Sequence, residues 1–192
     1  MQKKNLKIYS KTRQLTVIGL LSSISILLSV TPLGYIPIPP ISPTIMHVPV
    51  IIGAIIEGPL VGATIGAIFG ITSLIRSFMV PSPTNFIFWN PLISVGVRIL
   101  IGVVTGYLYK SLKNRKGSVA ISAVLGSLTN TVGVLGLAYI FYFAKFAEAL
   151  GLTEKAATVG ILGIAATNGI PEALLSALIT VSVVTAYKKS KK

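Results

Sequence analysis

Long apolar runs alternate along the chain with short clusters of proline, glycine or lysine, and the runs are far longer than a buried strand. They fall at about 15–30, 44–56, 60–77, 90–109, 118–143 and 156–187. Since roughly 20 apolar residues cross a bilayer core, the pattern predicts an all-α integral membrane protein: one domain, residues 1–192, built as a bundle of six transmembrane helices. The second run is short for a full crossing. Between the first and second runs stand Pro32, Pro37, Pro39, Pro40 and Pro43, through which no continuous helix passes. Glu57-Gly58-Pro59 predicts a tight turn, Pro81 and Pro83 stiffen the next loop, and Asn90-Pro91 reads as an N-cap followed by proline at the first helical position. Pro171 lies inside the last run, frees the carbonyl of Thr167 and predicts a bend near Asn168.

Composition agrees with that reading. Hydrophobic residues make up 53% of the chain and charged residues only 11%, with a mean hydropathy of +0.84, well away from a soluble domain whose charged fraction is about a quarter. Six spans use up 192 residues, so any ATPase must be another chain. The alternating ten-residue segments of a membrane β-barrel are missing. No cysteine is present, which excludes disulfides, thiolate metal sites and cysteine nucleophiles.

The net charge of +13 would suit nucleic acid if it were spread over one face, but it is concentrated in three places. Lys3, Lys4, Lys7, Lys11 and Arg13 precede the first span; Lys110, Lys113, Arg115 and Lys116 fill the fourth connection; Lys188, Lys189, Lys191 and Lys192 form the tail. Six spans put all three clusters on one side, so the charge marks membrane sidedness: both termini are expected in the cytoplasm of a multi-pass cell-membrane protein, with no nucleic-acid partner. Arg76 is expected at an outer helix end, where it can snorkel. The first 30 residues lack a small-residue cleavage site and read as a retained helix.

Against this background Arg98 stands out, because a guanidinium within a span must face a polar partner or a cavity. Asn90, Ser94 and Arg98 recur at four-residue spacing, which puts them on one helical face about 12 Å deep by Arg98 at the helical rise. Asn130 and Asn168 lie about halfway along two other spans, and the outer loops bring Tyr35, Asn85 and Trp89 to the mouth. Apolar walls with a few polar anchors are the pattern of a small-molecule site. Two alternatives stay open: Arg98 forms an ion pair with Glu172, the acidic residue deep in the last span, and the asparagines hydrogen-bond between helices. His47, the single histidine, is placed one turn into the second helix as a packing or pocket-lining residue. It has no carboxylate, cysteine or second histidine at ligand spacing, which argues against a metal site, and no catalytic constellation argues for an enzyme. Glycines at four-residue intervals, such as Gly62, Gly66 and Gly70, lack the lysine of a phosphate loop and predict close helix contact.

Leu33-Gly34-Tyr35-Ile36-Pro37-Ile38-Pro39-Pro40-Ile41, the stretch from Thr44 to Ala54 (Thr-Ile-Met-His-Val-Pro-Val-Ile-Ile-Gly-Ala), Glu57-Gly58-Pro59 and Asn168-Gly169-Ile170-Pro171-Glu172 together resemble the substrate-binding S components of energy-coupling factor vitamin transporters, particularly the pantothenate-type branch. The likeness covers nearly the whole chain. It implies a six-helix protein embedded in membrane lipid that binds a water-soluble vitamin from outside, docks on a transmembrane T component carrying two ATPases, and topples to release the vitamin inside. S components carry an alanine-xxx-alanine motif on helix one that packs on the T component. Here Gly19, Ser22, Ser23, Ser25 and Ser29 stand in that region, with Gly19-xxx-Ser23 and Ser25-xxx-Ser29 keeping a small-xxx-small spacing suited either to docking, through Gly19, Ser22 and Ser23, or to internal packing. Arg98 suits a carboxylate such as that of pantothenate, whose hydroxyls and amide Asn90, Asn130 and Asn168 could satisfy; folate, a pyrimidine precursor and cobalamin are the competing vitamins. A proton-coupled carrier, with Glu172 as relay, and a ligand-free scaffold are the alternatives from other classes.

Overall fold

A computed structural model describes residues 2–34, 44–80, 84–149, 151 and 153–190, with residues 2–10 as backbone only. The described residues form six α-helices and no strand: α1 (Gln2–Val30), α2 (Val48–Glu57), α3 (Pro59–Met79), α4 (Val97–Leu112), α5 (Ser118–Ala149) and α6 (Glu154–Lys189). A 3₁₀ helix, Asn85–Trp89, and a π turn, Leu92–Gly96, lead into α4.

Five helical stretches are long and apolar enough to cross a membrane: Lys11–Val30, Pro59–Met79, Leu92–Leu112, Ser118–Ala149 and Glu154–Lys189. The second helix differs from the span expected at 44–56. It has ten residues, about 15 Å at the helical rise and half a bilayer core, and every residue from Val48 to Ile55 is buried. A helix apolar all round is one enclosed by protein, and the same apolar run reads from sequence as a lipid-facing span. Helices α5 and α6 run further than expected, to Ala149 and from Glu154, and α6 continues as helix through Pro171. Leu20, Leu27, Leu60, Ile75, Val132, Ile140, Leu162, Leu174 and Leu178 form an exposed apolar exterior of the kind lipid covers.

Three contacts tie α1 to the end of α2, the end of α6 to the end of α4, and the turn at Gly58 to α4. Arg13 Nε donates to Glu57 Oε1 at 2.7 Å, Lys188 Nζ donates to the Tyr109 hydroxyl at 2.8 Å, and Gly58 lies against the aliphatic part of Lys110. At Gly58 α2 ends and α3 begins; its φ of 102° is open to glycine, and Pro59 takes the first helical position of α3. The four-residue glycine spacing does the packing expected of it. At Gly66 a β-carbon would collide with the Arg98 carbonyl, while Gly62 lies against Gly102 and Gly70 against Ser94 and Val95, so α3 and α4 touch backbone to backbone.

Two apolar clusters flank a gap. One gathers Leu21, Ile51, Ile55, Ile65, Ile101, Ala123 and Val184; the other gathers Ile87, Ile93, Ala138, Phe146 and Ile161. Along α5 and α6 the residues between the clusters are the polar ones, Asn130, Thr131, Asn168 and Glu172.

Candidate functional site

The gap is a cavity of about 540 Å³, within the range of small-molecule sites. The rest of the bundle encloses it: Ser29 of α1, Thr44, Met46 and His47 ahead of α2, Phe69, Ser73 and Arg76 of α3, Asn85 and Phe88 of the 3₁₀ helix, Arg98 of α4, Asn130, Thr131 and Val134 of α5, and Ile164, Asn168 and Glu172 of α6.

Arg98 is 7% exposed. One terminal nitrogen, Nη1, donates to the Ile93 carbonyl at 3.0 Å, a carbonyl of the π turn five residues back. Its guanidinium carbon lies 5.5 Å from the Phe69 ring centre and 5.4 Å from that of Phe88, so two rings hold the plane, while Nε is buried without a protein partner. Glu172, also 7% exposed, is engaged elsewhere: Oε1 accepts from the Thr44 backbone N–H at 2.9 Å and its hydroxyl at 2.8 Å. The sole ion pair among the described residues joins Arg13 and Glu57, so Arg98 and Glu172 do not form the salt bridge considered from sequence. Two arginines, Arg76 and Arg98, and one glutamate, Glu172, stand in the described wall.

Of the residues singled out in the sequence, His47, Asn85, Arg98, Asn130, Asn168 and Glu172 line this one cavity. Asn90 and Trp89 do not. Asn90 Oδ1 accepts from the Leu92 N–H at 2.9 Å and its Nδ2 donates to the Tyr142 hydroxyl at 3.3 Å, so its amide caps the π turn and reaches toward α5. Trp89 stacks on Phe78 at 5.5 Å and donates from Nε1 to the Ser77 carbonyl at 3.1 Å, half exposed at the rim. Ser94 Oγ turns back to the Asn90 carbonyl, so the polar face drawn through Asn90, Ser94 and Arg98 reaches the cavity at Arg98 alone. Tyr35 lies outside the described residues. His47 is at the N-cap of α2 and not a turn inside it. On α1, Gly19 and Ser23 face outward, with open space around Gly19, whereas Ser22, Ser25 and Ser29 are buried against the bundle, so Ser22 stands off the exposed face.

Some wall residues escape sequence reasoning. Arg76 is in the last turn of α3, the helix end expected for it, and from there it lines the cavity and donates to the Ser29 carbonyl. Phe69 and Phe88 look like ordinary apolar positions in the sequence, and only the fold brings their rings to Arg98.

Among the described residues, five helices of membrane-spanning length around a cavity with charged residues in its wall define a multi-pass membrane protein. The family model described as ECF transporter, substrate-specific component, matches residues 13–184, and the chain belongs to that family. It is 34% identical over 167 residues, 79% of this chain and 81% of its relative, to the pantothenic acid transporter PanT of Lactococcus lactis subsp. cremoris. It is 29% identical over 186 residues, 91% of both chains, to the pantothenate transporter PanT of Leuconostoc mesenteroides subsp. mesenteroides.

Proposed function

We propose that the chain is the pantothenate-binding subunit of an ECF transporter, taking the vitamin from outside and handing it to a transmembrane T component driven by two ATPase subunits, with no enzyme activity of its own. In this reading the chain is one domain crossing the membrane six times, with α2 as a short buried member, and the termini lie in the cytoplasm, where the basic clusters belong by the positive-inside rule. Two relatives named as pantothenate transporters support the substrate. The observation that carries the site is Arg98: a buried guanidinium clamped between two rings in the cavity wall, with an unpartnered Nε. A monoanionic carboxylate offers the planar acceptor pair that such a fork takes. Asn130 Oδ1 and Thr131 Oγ1, buried without protein partners, then take the hydroxyls at the other end of pantothenate. Phe69, Phe88, Val134 and Ile164 supply the apolar walls for its methyl groups.

The test is mass spectrometry of small molecules that co-purify with the detergent-solubilised protein, followed by titration calorimetry with pantothenate and with pantothenol, its alcohol analogue without the carboxylate. Co-purified pantothenate and much weaker pantothenol binding are expected. Equal affinity for the two compounds would remove Arg98 as the carboxylate anchor, and no saturable pantothenate binding would remove the substrate.

A further inference from the structure

His47 is the chain's single histidine, is 1% exposed, and lies where three helices meet. Its Nε2 stands 3.0 Å from Ser127 Oγ of α5 and 3.0 Å from Ser176 Oγ of α6. One ring nitrogen offers one in-plane site, a proton or a lone pair, so the two hydroxyls converge on a single point at the head of α2. Ser127 precedes Asn130 and Thr131 by three and four residues, and Ser176 follows Glu172 by four, so each serine lies one helical turn from the cavity wall on its own helix. At that level the two walls are close: a β-carbon on Gly169 of α6 would come 2.9 Å from Thr131 Cγ2 of α5. Asn130 Oδ1 and Thr131 Oγ1 make no protein hydrogen bond to hold them, so where they stand is decided by where α5 stands.

We propose that His47 is a positioning residue: the Ser127–His47–Ser176 bridge fixes the rotation and separation of α5 and α6 under the cavity, and so sets how strictly Asn130 and Thr131 require hydroxyls on the ligand. The specificity half of this rests on the pantothenate reading; the bridge itself does not. A wall that holds its acceptors at fixed points rejects a ligand lacking the matching donor, because the acceptors are left buried and unpaired. A wall free to rotate swings them away and loses that discrimination.

The chain has no cysteine, so spin labels can be placed at Val132 and Leu174, both exposed, one on α5 and one on α6, with no background site. Pulsed-EPR distances are compared in otherwise unchanged protein, the Ser127→Ala/Ser176→Ala double variant, His47→Ala and His47→Gln, whose amide reaches the Nε2 position with both a donor and an acceptor. The same set, unlabelled, is titrated with pantothenate and with an analogue lacking the hydroxyls. The expected result is a single narrow distance in the parent protein, a broadened one in the double serine variant and His47→Ala, and restoration by His47→Gln. In the broadened variants the ratio of affinities for the two ligands falls about tenfold, the equivalent of one hydrogen bond no longer enforced. An unchanged distance distribution in the double serine variant overturns the bridge. An equal loss of affinity for both ligands overturns the specificity role and leaves His47 a packing residue. Absence of pantothenate binding by the parent protein defeats the substrate assignment alone, and the distance measurement still decides the bridge.

Discussion

Arg98 and Glu172 face one cavity but hold different partners: the carboxylate is occupied by both donors of Thr44, while the guanidinium leans on the Ile93 carbonyl and its Nε is buried without a protein partner. Two opposite charges in one buried space would neutralise each other if they touched. With no direct contact between them, the carboxylate secures the segment that leads into α2, and in the proposed reading the guanidinium receives the ligand's carboxylate.

Replacing Arg98 with alanine is expected to weaken pantothenate binding by about 2 to 5 kcal/mol, since a carboxylate brought into the cavity would lack its counter-charge. Lysine keeps the charge but loses the planar fork and the ring sandwich, so its affinity falls between the two. Titration calorimetry with circular dichroism checks both affinity and folding. Unaltered affinity in folded Arg98→Ala protein takes Arg98 out of the site.

Gly66 and Gly19 should respond in opposite ways to the same change. Gly66→Ala drives a methyl group into the Arg98 carbonyl, and overpacking of this kind costs about 1 to 3 kcal/mol, with weakened ligand binding as α4 shifts. Gly19→Ala meets open space and replaces a poor helix former with the best one. Thermal unfolding in detergent should place Gly66→Ala below the parent and Gly19→Ala at or above it.

Bulk on the outward face of α1 should separate binding from transport. Gly19→Leu and Ser23→Leu both project away from the cavity, so ligand affinity is expected to stay, while ATP-dependent uptake with the T component and ATPases is lost because close helix approach is blocked. Normal uptake by both variants would mean that the chain couples through another face.

Sidedness can be read directly. Single cysteines at Lys113 and Lys191 should resist membrane-impermeant thiol reagents in intact cells and react after permeabilisation. Labelling of both from outside would invert the topology.

What the sequence disclosed, and what it hid, follows from range. Arg98 was legible because a charge in an apolar run violates a local expectation, and the glycine spacing of α3 was legible because helix contact needs small residues at a fixed interval. The status of α2 was not: its apolar surface satisfies lipid and protein equally, and only its neighbours tell which surrounds it. Asn90 misled because its four-residue spacing from Ser94 and Arg98 assumes an ordinary helix, and it sits instead ahead of a π turn with its amide committed to Leu92 and Tyr142. Phe69 and Phe88 carry no sequence mark at all, since nothing local distinguishes a ring against lipid from a ring against a guanidinium. The convergence of His47 with Ser127 and Ser176 spans 80 and 129 residues, a separation no periodicity reports.

The backbone contact of α3 with α4 has a consequence for anyone wishing to change the cargo. Where glycines lie against a facing main chain there is no side chain to trim or rotate, so an enlarged residue anywhere on that seam displaces both helices and everything mounted on them, Phe69 and Arg98 included. The opposite wall is made of side chains, Val134, Leu135, Ile164 and Asn168, that can be exchanged one at a time. Retargeting this protein to another ligand is therefore a matter of rewriting α5 and α6 while leaving the glycine seam as a fixed chassis.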